Sequence, residues 1–419
     1  MHGLTFIALL LLMSGCTVNP VTGEKQLSLI PESQEKSIGT QQYTPTLQTQ
    51  GGRYYLDPEL TRYVSDVGQK LAAVSDRPDL PYEFAVINSG TPNAWALPAG
   101  KIAINRGLLT ELDNEAQLAA VLGHEIVHAA ARHSVQRMQQ GMLLSAGMAG
   151  LGMALSDNEY ASMIMGGAAL GSQIALAQYS QDHELEADRY GMQYMKAAGY
   201  DPQAAVELQE IFVRMSEGQQ SGFIQGLFAT HPPSQARVDA NRRLVQEIGA
   251  GGRIGRDTYQ KRLGYLEKHL PAYESEDKAM KLAKAKKYDQ ALGKINEAIR
   301  IEPDEARFYA FRGQLHEQKN ATQKAQADYD KAVSLYPEMF SYRIQRGLHE
   351  LELNNLEKAR QDLTAANQVV PTSLAFLRLG DIAVQQNRRD DAIQYYSQAA
   401  KSEGEIAKEA QRKLAALTK

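Results

Sequence analysis

The chain has 419 residues, of which 43% are hydrophobic and 22% are charged, and this composition is that of an ordinary soluble globular protein. Its length is too great for one small core and predicts two domains. The net charge of −4 gives no electrostatic footprint for nucleic acid, so that class of function is excluded.

The first residues of the chain have the pattern of a secretory signal. Residues 4–13 form an apolar run that is too short to span a bilayer as a helix but suits the core of a signal peptide. The residues from Met13 to Cys16 resemble a bacterial lipobox, in which the cysteine is lipidated. Cys16 is the only cysteine and therefore cannot form an internal disulfide. We predict a signal peptide over residues 1–15 and lipidation of Cys16.

The segment after the cysteine has the pattern of a membrane tether. Thr17 rather than an aspartate follows Cys16, and by resemblance to bacterial lipoproteins this favours the outer membrane over the inner one. The lipid chains of such a cysteine suffice for stable anchoring. Residues 17–23 are rich in turn formers. We expect a lipidated N-terminus and tether over residues 16–56.

A helix and a small sheet are predicted next. Asp57 and Pro58 have the pattern of a helix start, and apolar residues then follow at spacings that predict one buried face. These residues are Leu60, Val64, Val67, Leu71 and Val74. Residues 82–87 predict a strand, and residues 93–97 and 101–105 predict a hairpin around a Pro-Ala-Gly turn.

The hairpin contains candidate substrate-binding residues. Lys101 and the nearby proline are typical of an edge strand, and an exposed edge can bind an extended peptide through main-chain hydrogen bonds. An ordinary small sheet that only packs against helices is an equally good interpretation. The candidate residues are Asn93, Ala94, Trp95, Ala96, Lys101 and Ile102.

Two histidines four residues apart indicate half of a metal site. On a helix predicted over residues 115–132, His124 and His128 project from one face and can bind the same ion, with Glu125 beside them. A zinc ion bound in this way still needs a third protein ligand and an open position for water. His133, five positions after His128, is predicted to lie at the helix end or behind the ligands.

A downstream acidic segment offers the third ligand. Glu184 and Asp188 are four residues apart and share a helix face, whereas Glu186 points about 200° away from Glu184. If Glu184 binds the metal, Asp188 is placed to accept the free N–H of a ligand histidine and to fix its tautomer. A solvated acidic helix face is the alternative interpretation.

These motifs resemble the metallopeptidase family of the CAAX prenyl proteases and the bacterial HtpX protease. The resemblance covers about residues 17–250, and it includes the hairpin and the Thr-His-Pro segment around His231. It implies a zincin-type α+β metalloprotease domain with a small sheet over residues 57–250, holding one Zn²⁺ per chain. By this resemblance the zinc ligands are His124, His128 and Glu184.

The implied ligand set suits hydrolysis of peptide bonds by an activated water. Two neutral imidazoles and one carboxylate leave the metal a net positive charge, which acidifies its bound water and polarises the scissile carbonyl. By the same resemblance Glu125 is the catalytic base, which takes the water proton and passes it to the leaving amine. His231 is a candidate either for the oxyanion donor or for a fourth ligand that blocks the open site. A helix-capping histidine before Pro232 is the alternative.

Residues 141–179 are unusually rich in Gly, Ala, Met and Leu and form two apolar runs. Each run is shorter than a membrane span requires. Small residues allow helices to pack closely, so a buried helical hairpin is one interpretation. A mobile lid over the metal site is the other.

The Gly-Ala-Gly-Gly sequence at residues 249–252 predicts the start of a flexible linker over residues 251–270. The C-terminal part that follows repeats with a period of 34, 34 and 33 residues. The leading alanines of the four copies are Ala291, Ala325, Ala359 and Ala392. Small residues lie twelve positions before them, at Ala279, Gly313, Gly347 and Gly380. This pattern resembles the tetratricopeptide repeat and implies an α-solenoid over residues 271–419, with a concave surface for docking clients or an assembly machine.

The complete layout predicts a mainly α chain in which a metalloprotease domain precedes a repeat domain. It resembles periplasmic quality-control proteases of bacteria. The resemblance implies an outer-membrane-anchored zinc endopeptidase that degrades misfolded or stalled outer-membrane proteins, with repeats that recruit clients or the assembly machinery. A lipoprotein chaperone or assembly scaffold with a gated or silent protease site is the alternative.

Overall fold

The computed structural model of the chain describes residues 16–140, 178–217, 226–402 and 404–418. It divides into two compact units, residues 1–265 and residues 266–419. Helices dominate both units, which confirms the predicted mainly α architecture. No helix within the described ranges is both long enough and apolar enough to cross a membrane. The predicted signal peptide and nearly all of the segment over residues 141–179 lie outside the described residues.

The first unit combines short strands with helices. Its strands are β1 (Cys16–Val18), β2 (Lys25–Leu27), β3 (Glu83–Ile87), β4 (Ala94–Leu97) and β5 (Lys101–Asn105). Its helices are α1 (Glu32–Thr49), α2 (Pro58–Ala72), α3 (Arg106–Leu109), α4 (Glu115–Ala130), α5 (Gln181–Ala197), α6 (Gln203–Glu217), α7 (Leu227–Thr230) and α8 (Gln235–Ile248).

The helix predicted after Asp57 is present as α2. The Asp57 carboxylate accepts a hydrogen bond from the Leu60 amide at 3.0 Å and caps the helix. Its buried face includes the predicted Leu60, Val64, Val67 and Leu71. The helix ends at Ala72, whose carbonyl accepts hydrogen bonds from the amide and the hydroxyl of Ser75. Val74 therefore lies beyond the helix and is 38% exposed, contrary to the prediction.

A three-stranded sheet in the order β3-β5-β4 carries the predicted hairpin. β4 pairs antiparallel with β5, and β3 pairs parallel with β5 on its other side. The prediction that Lys101 and Ile102 lie on an edge strand is therefore wrong, because β5 is the central strand. Lys101 is only 4% exposed, and its ammonium donates to the Pro81 carbonyl at 3.0 Å and pairs with Glu83.

β4 is an edge strand, since no other strand of the described ranges pairs with its outer side. The side chain of Trp95 in β4 lies in a hydrophobic core. There it packs edge-on against Tyr43 of α1, with a ring-centroid distance of 6.2 Å. The helix with the two histidines, α4, packs against β4 and α5. The sheet edge and the histidine-bearing helix thus pack directly against each other.

The second unit is a stack of helical pairs. Its helices are the end of α9 (Arg256–Lys284), α10 (Tyr288–Ile301), α11 (Ala306–Gln318), α12 (Thr322–Leu335), α13 (Phe340–Glu352), α14 (Leu356–Val369), α15 (Ser373–Gln385), α16 (Arg389–Ala399) and α17 (Glu405–Leu417). Left-handed residues recur with the repeat period, at Lys286, Asn320, Asn354 and Asn387. The small residues allow close packing: a Cβ on Gly313 would lie 2.7 Å from the ring of Tyr329.

Residues 256–270 of the predicted linker are helical, because they form the first half of α9. Tyr259, Leu263 and Leu266 are buried at spacings of four and three residues, which is a helical period. The prediction of a flexible linker is therefore wrong over these residues. The glycines that suggested it precede the helix, and Gly249, Gly251, Gly252 and Gly255 have positive φ angles.

Candidate metal centre

The two histidines of α4 face each other across a gap suited to an ion. The Asn114 side chain caps the helix by accepting from the Gln117 amide at 3.0 Å. His124 Nε2 lies 3.0 Å from His128 Nε2. The predicted i, i+4 geometry is thus present, although the helix ends at Ala130 rather than at residue 132.

Glu184 of α5 joins the two histidines. Its Oε1 lies 3.3 Å from His128 Nε2, and its Oε2 lies 3.5 Å from His124 Nε2. Tetrahedral ligands at zinc-like bond lengths of 2.0–2.1 Å are separated by about 3.3–3.4 Å. The spacing of these three residues therefore fits one ion of that size, and the donor set of two nitrogens and one oxygen fits zinc.

His231 lies at the same point. Its Nδ1 is 3.2 Å from His124 Nε2 and 3.0 Å from Glu184 Oε1. Nitrogen or oxygen atoms of these residues and of His128 all lie within 4.8 Å of one another. The structure therefore brings together four possible metal ligands.

Asp188 orients His124, as predicted from the spacing of the acidic residues. Asp188 Oδ1 lies 2.9 Å from His124 Nδ1, so the proton of the imidazole is held on Nδ1 and Nε2 is left for an ion. Burial lowers the pKa of His124, but the carboxylates of Glu184 and Asp188 outweigh burial and raise it to about 10. The carboxylates of Glu184 and Asp188 therefore favour a positive charge beside them, at the ring of His124.

Arg237 of α8 is part of the site, and the sequence reasoning missed it. Its Nε and Nη2 donate to the two oxygens of Asp188 at 2.7 Å each, and its Nη1 lies 2.7 Å from Glu184 Oε2. Burial raises the pKa of Glu184, but His231, Arg237 and His124 outweigh it and hold the pKa well below its usual range. An arginine in the buried stripe of α8, beside Val238, was the available signal.

Glu125 lies beside the ligands and is 1% exposed. Its Oε1 lies 3.4 Å from His231 Nε2. Burial raises the pKa of Glu125 above its usual value, although His231 and His124 act in the opposite direction. A carboxylate with a raised pKa holds a proton more readily, which suits a catalytic base.

Tyr179, which the sequence reasoning also missed, forms one wall of the site. Its ring stacks on His128 with a centroid distance of 3.7 Å and an interplanar angle of 16°. Its hydroxyl lies 3.0 Å from Ser134 Oγ, and Ser134 donates to the Ala96 carbonyl of β4 at 3.2 Å. This chain of contacts connects the edge strand to the histidines.

The comparisons with known proteins agree with this geometry. Residues 58–245 match the model of peptidase family M48. The mitochondrial metalloendopeptidase OMA1 of Schizosaccharomyces pombe is 31% identical over 243 residues, which cover 57% of this chain and 68% of that protein. The chain belongs to peptidase family M48. It is therefore a metallopeptidase, with the possible ligands of a divalent metal grouped as described.

The C-terminal part of this M48 metallopeptidase matches the model of the tetratricopeptide repeat over residues 277–340, 344–407 and 377–417. The beta-barrel assembly-enhancing protease of Escherichia coli strain K12 is 31% identical over 196 residues. That match covers 45% of this chain and 40% of the bacterial protein, so the chain spans less than half the length of that relative.

Proposed function

We propose that this M48 metallopeptidase is a zinc-dependent endopeptidase. The ligands are His124, His128 and Glu184, and Glu125 is the catalytic base. The observation that carries this proposal is the convergence of two imidazole nitrogens and one carboxylate at 3.0–3.5 Å from one another. When zinc is bound, it acidifies a water molecule and polarises the scissile carbonyl.

Side chains of the protein transfer the proton and hold the ligands in position. Glu125 accepts a proton and returns it to the leaving amine, and burial raises the pKa of this carboxylate, which strengthens it as a base. Asp188 holds the tautomer of His124, and Arg237 holds Asp188 and Glu184 in place.

We assign His231 as a fourth ligand at rest. Its Nδ1 lies as close to His124 and Glu184 as those residues lie to each other, which supports coordination. A histidine in this position occupies the place that water needs. Donation to the oxyanion is the other role predicted for His231, and substitution of this residue separates the two roles.

We propose that the outer side of β4 binds the substrate backbone. Asn105 donates to the Asn93 carbonyl at 2.8 Å, so this pair is of the hydrogen-bonded type in the β4–β5 ladder. The alternation of an antiparallel ladder then points the polar backbone groups of Ala94 and Ala96 away from β5. Ala94 and Ala96 are buried and the Ala96 carbonyl accepts from Ser134, so a peptide can add there as a further strand only once this edge is uncovered. Lys101 and Ile102 lie in the central strand and are inaccessible to it.

The cellular role that we propose is quality control of outer-membrane proteins in the bacterial periplasm. It rests on the likeness to the beta-barrel assembly-enhancing protease and on the lipobox-like sequence that ends at Cys16. Misfolded or stalled outer-membrane proteins are the proposed substrates, and the repeats recruit them or bind the assembly machinery. The rival proposal, a lipoprotein chaperone or scaffold with a gated site, draws support from the position of His231.

Substitution of Glu125 tests the enzymatic proposal. The purified Glu125→Gln variant should keep about one zinc ion per chain and lose cleavage of an unfolded outer-membrane protein. Cleavage that survives in this variant would refute the mechanism. Labelling of the chain with radioactive palmitate in cells, with Cys16→Ser as the control, tests the anchor: an unlabelled wild-type chain would refute lipidation.

A further inference from the structure

The nitrogen of His128 that faces away from the ligand cluster contacts a second histidine. His128 Nδ1 lies 2.8 Å from His133 Nδ1, and both side chains are fully buried. Two ring nitrogens at this distance share one proton, so one donates and the other accepts. Because His128 Nε2 faces the ligand cluster and needs its lone pair, the proton lies on His128 Nδ1. His128 therefore donates to His133.

His133 in turn faces Glu186. The other ring nitrogen of His133, Nε2, lies 3.3 Å from Glu186 Oε1. The plane of its ring is set by stacking on His183, at a centroid distance of 4.1 Å and an angle of 14°. His183 is held by Gln136, whose Oε1 lies 3.1 Å from His183 Nε2. His128 thus contacts His133, and the other ring nitrogen of His133 faces the Glu186 carboxylate.

The turn between β1 and β2 also contacts Glu186, through Asn19. Asn19 Nδ2 donates to Glu186 Oε1 at 3.1 Å. The same side chain shapes the turn between β1 and β2, because its Oδ1 accepts from the Val21 amide at 2.9 Å and from the Thr22 amide at 3.4 Å. Asn19 is 6% exposed, so these contacts are shielded from water.

The segment after this turn is hydrogen-bonded to residues that follow α4. The Leu29 amide donates to Gln139 Oε1 at 2.9 Å, and Arg132 donates to the Ile30 carbonyl at 2.6 Å. Arg132 also pairs with Glu35, a fully buried carboxylate of α1, at 2.8 Å. These contacts hold the N-terminal segment against the region from which His133 projects.

We propose that His133 and Glu186 are positioning residues for the metal ligand His128, and that Asn19 makes the N-terminal turn part of the metal site. This inference rests on the proposed role of His128 as a ligand. It assigns a structural task to the Asn-Pro-Val-Thr-Gly segment at residues 19–23, which begins three residues after the predicted lipidation site. The tether reaches the metal ligand His128 through three side chains in sequence, those of Asn19, Glu186 and His133.

The proposal predicts that substitutions of these residues change the zinc affinity. Chelator competition on the purified full chain measures that affinity. Loss of the partner of a ligand histidine typically weakens metal binding tenfold to a hundredfold. His133→Phe and Glu186→Gln should therefore weaken zinc binding by about this factor. His133→Gln, whose amide oxygen can accept from His128, should restore most of the affinity. Asn19→Ala should weaken binding by a smaller factor. Asp182→Asn removes an exposed charge from the same helix and should leave the affinity unchanged.

The melting temperatures of the zinc-free variants separate positioning from folding. Weaker zinc binding with unchanged melting temperatures supports the proposal. Wild-type affinity in His133→Phe and Glu186→Gln overturns it, as does a loss that His133→Gln fails to restore. A wild-type chain that binds no zinc would instead refute the proposed function itself.

Discussion

Gly191 of α5 lies against the backbone of His124: a Cβ added to Gly191 would be 3.0 Å from the His124 amide nitrogen. On the opposite helix, a Cβ added to Gly123 would be 3.1 Å from the Gly191 carbonyl oxygen. The two helices that carry the candidate ligands can therefore approach closely only because both positions are glycine. This approach brings Glu184 within reach of the histidines.

Gly191→Ala should separate these helices and weaken zinc binding. Backbone atoms cannot move aside as a flexible side chain can, so we also expect a loss of about 1–3 kcal/mol in the free energy of unfolding. Gly293→Ala is the matched control, because a Cβ at Gly293 of α10 meets nothing within 4 Å. The control should stabilise the chain by up to about 1 kcal/mol. Unchanged zinc affinity and stability in Gly191→Ala would show that the helices tolerate a wider separation.

Arg237→Met should destabilise the chain strongly, because it leaves two buried carboxylates, Asp188 and Glu184, without their cation. Removal of one partner of a buried ion pair typically costs about 3–5 kcal/mol. Urea unfolding measures this change. Arg242→Met, on the same helix with a side chain 52% exposed, should change the free energy of unfolding by less than about 0.5 kcal/mol. Similar effects of the two substitutions would contradict the role given to Arg237.

The sequence was informative where the chemistry depends on local spacing. The four-residue separations of His124 from His128 and of Glu184 from Asp188 place each pair on one helix face, and their predicted proximity follows from helix geometry alone. Arg237 lies 49 residues after Asp188, and no spacing indicates that their side chains meet.

The wrong predictions for Lys101 and for the linker have the same physical origin, which is contact between residues distant in the sequence. The position of Lys101 depends on the parallel partner β3, which joins β5 from outside the hairpin. The linker was predicted from glycines, whereas burial of Tyr259 and Leu263 determines the helix that follows them. Long-range pairing and packing decided both cases.

His231→Ala should raise the rate of cleavage severalfold if His231 occupies the water position at rest. The variant should keep its zinc, because His124, His128 and Glu184 remain. Cleavage of an unfolded outer-membrane protein measures the rate, and His316→Ala in the repeats serves as the control. A variant that keeps zinc but loses cleavage would instead assign His231 as a required oxyanion donor.

Asp381 in the repeats should give a pH-dependent contribution to stability. It accepts from Lys413 at 2.6 Å and from the Tyr396 hydroxyl at 2.8 Å, and it pairs with Arg378. Burial raises its pKa, but Lys413, Arg378 and Tyr396 outweigh burial and hold the pKa below its usual value. Since the folded pKa is the lower one, the contribution is present above the unfolded pKa and is lost as pH falls through the folded pKa.

Asp381→Asn should therefore reduce the free energy of unfolding at pH 7 by about 1–2 kcal/mol. The difference from the wild type should shrink as the pH falls below about 4, where the unfolded carboxylate becomes protonated. Urea unfolding at a series of pH values measures it, with the exposed Asp390→Asn as the control. An effect of equal size at pH 7 and at low pH would contradict the assignment.

The zinc content of the purified chain tests the central claim most directly. Native mass spectrometry should find about one zinc ion per wild-type chain and far less in Glu184→Ala, which loses the one carboxylate among the four candidate ligands, whereas Asp182→Ala, in the first turn of the same helix, should keep its ion. A full complement of zinc in Glu184→Ala would remove Glu184 from the ligand set and contradict the proposed metal centre.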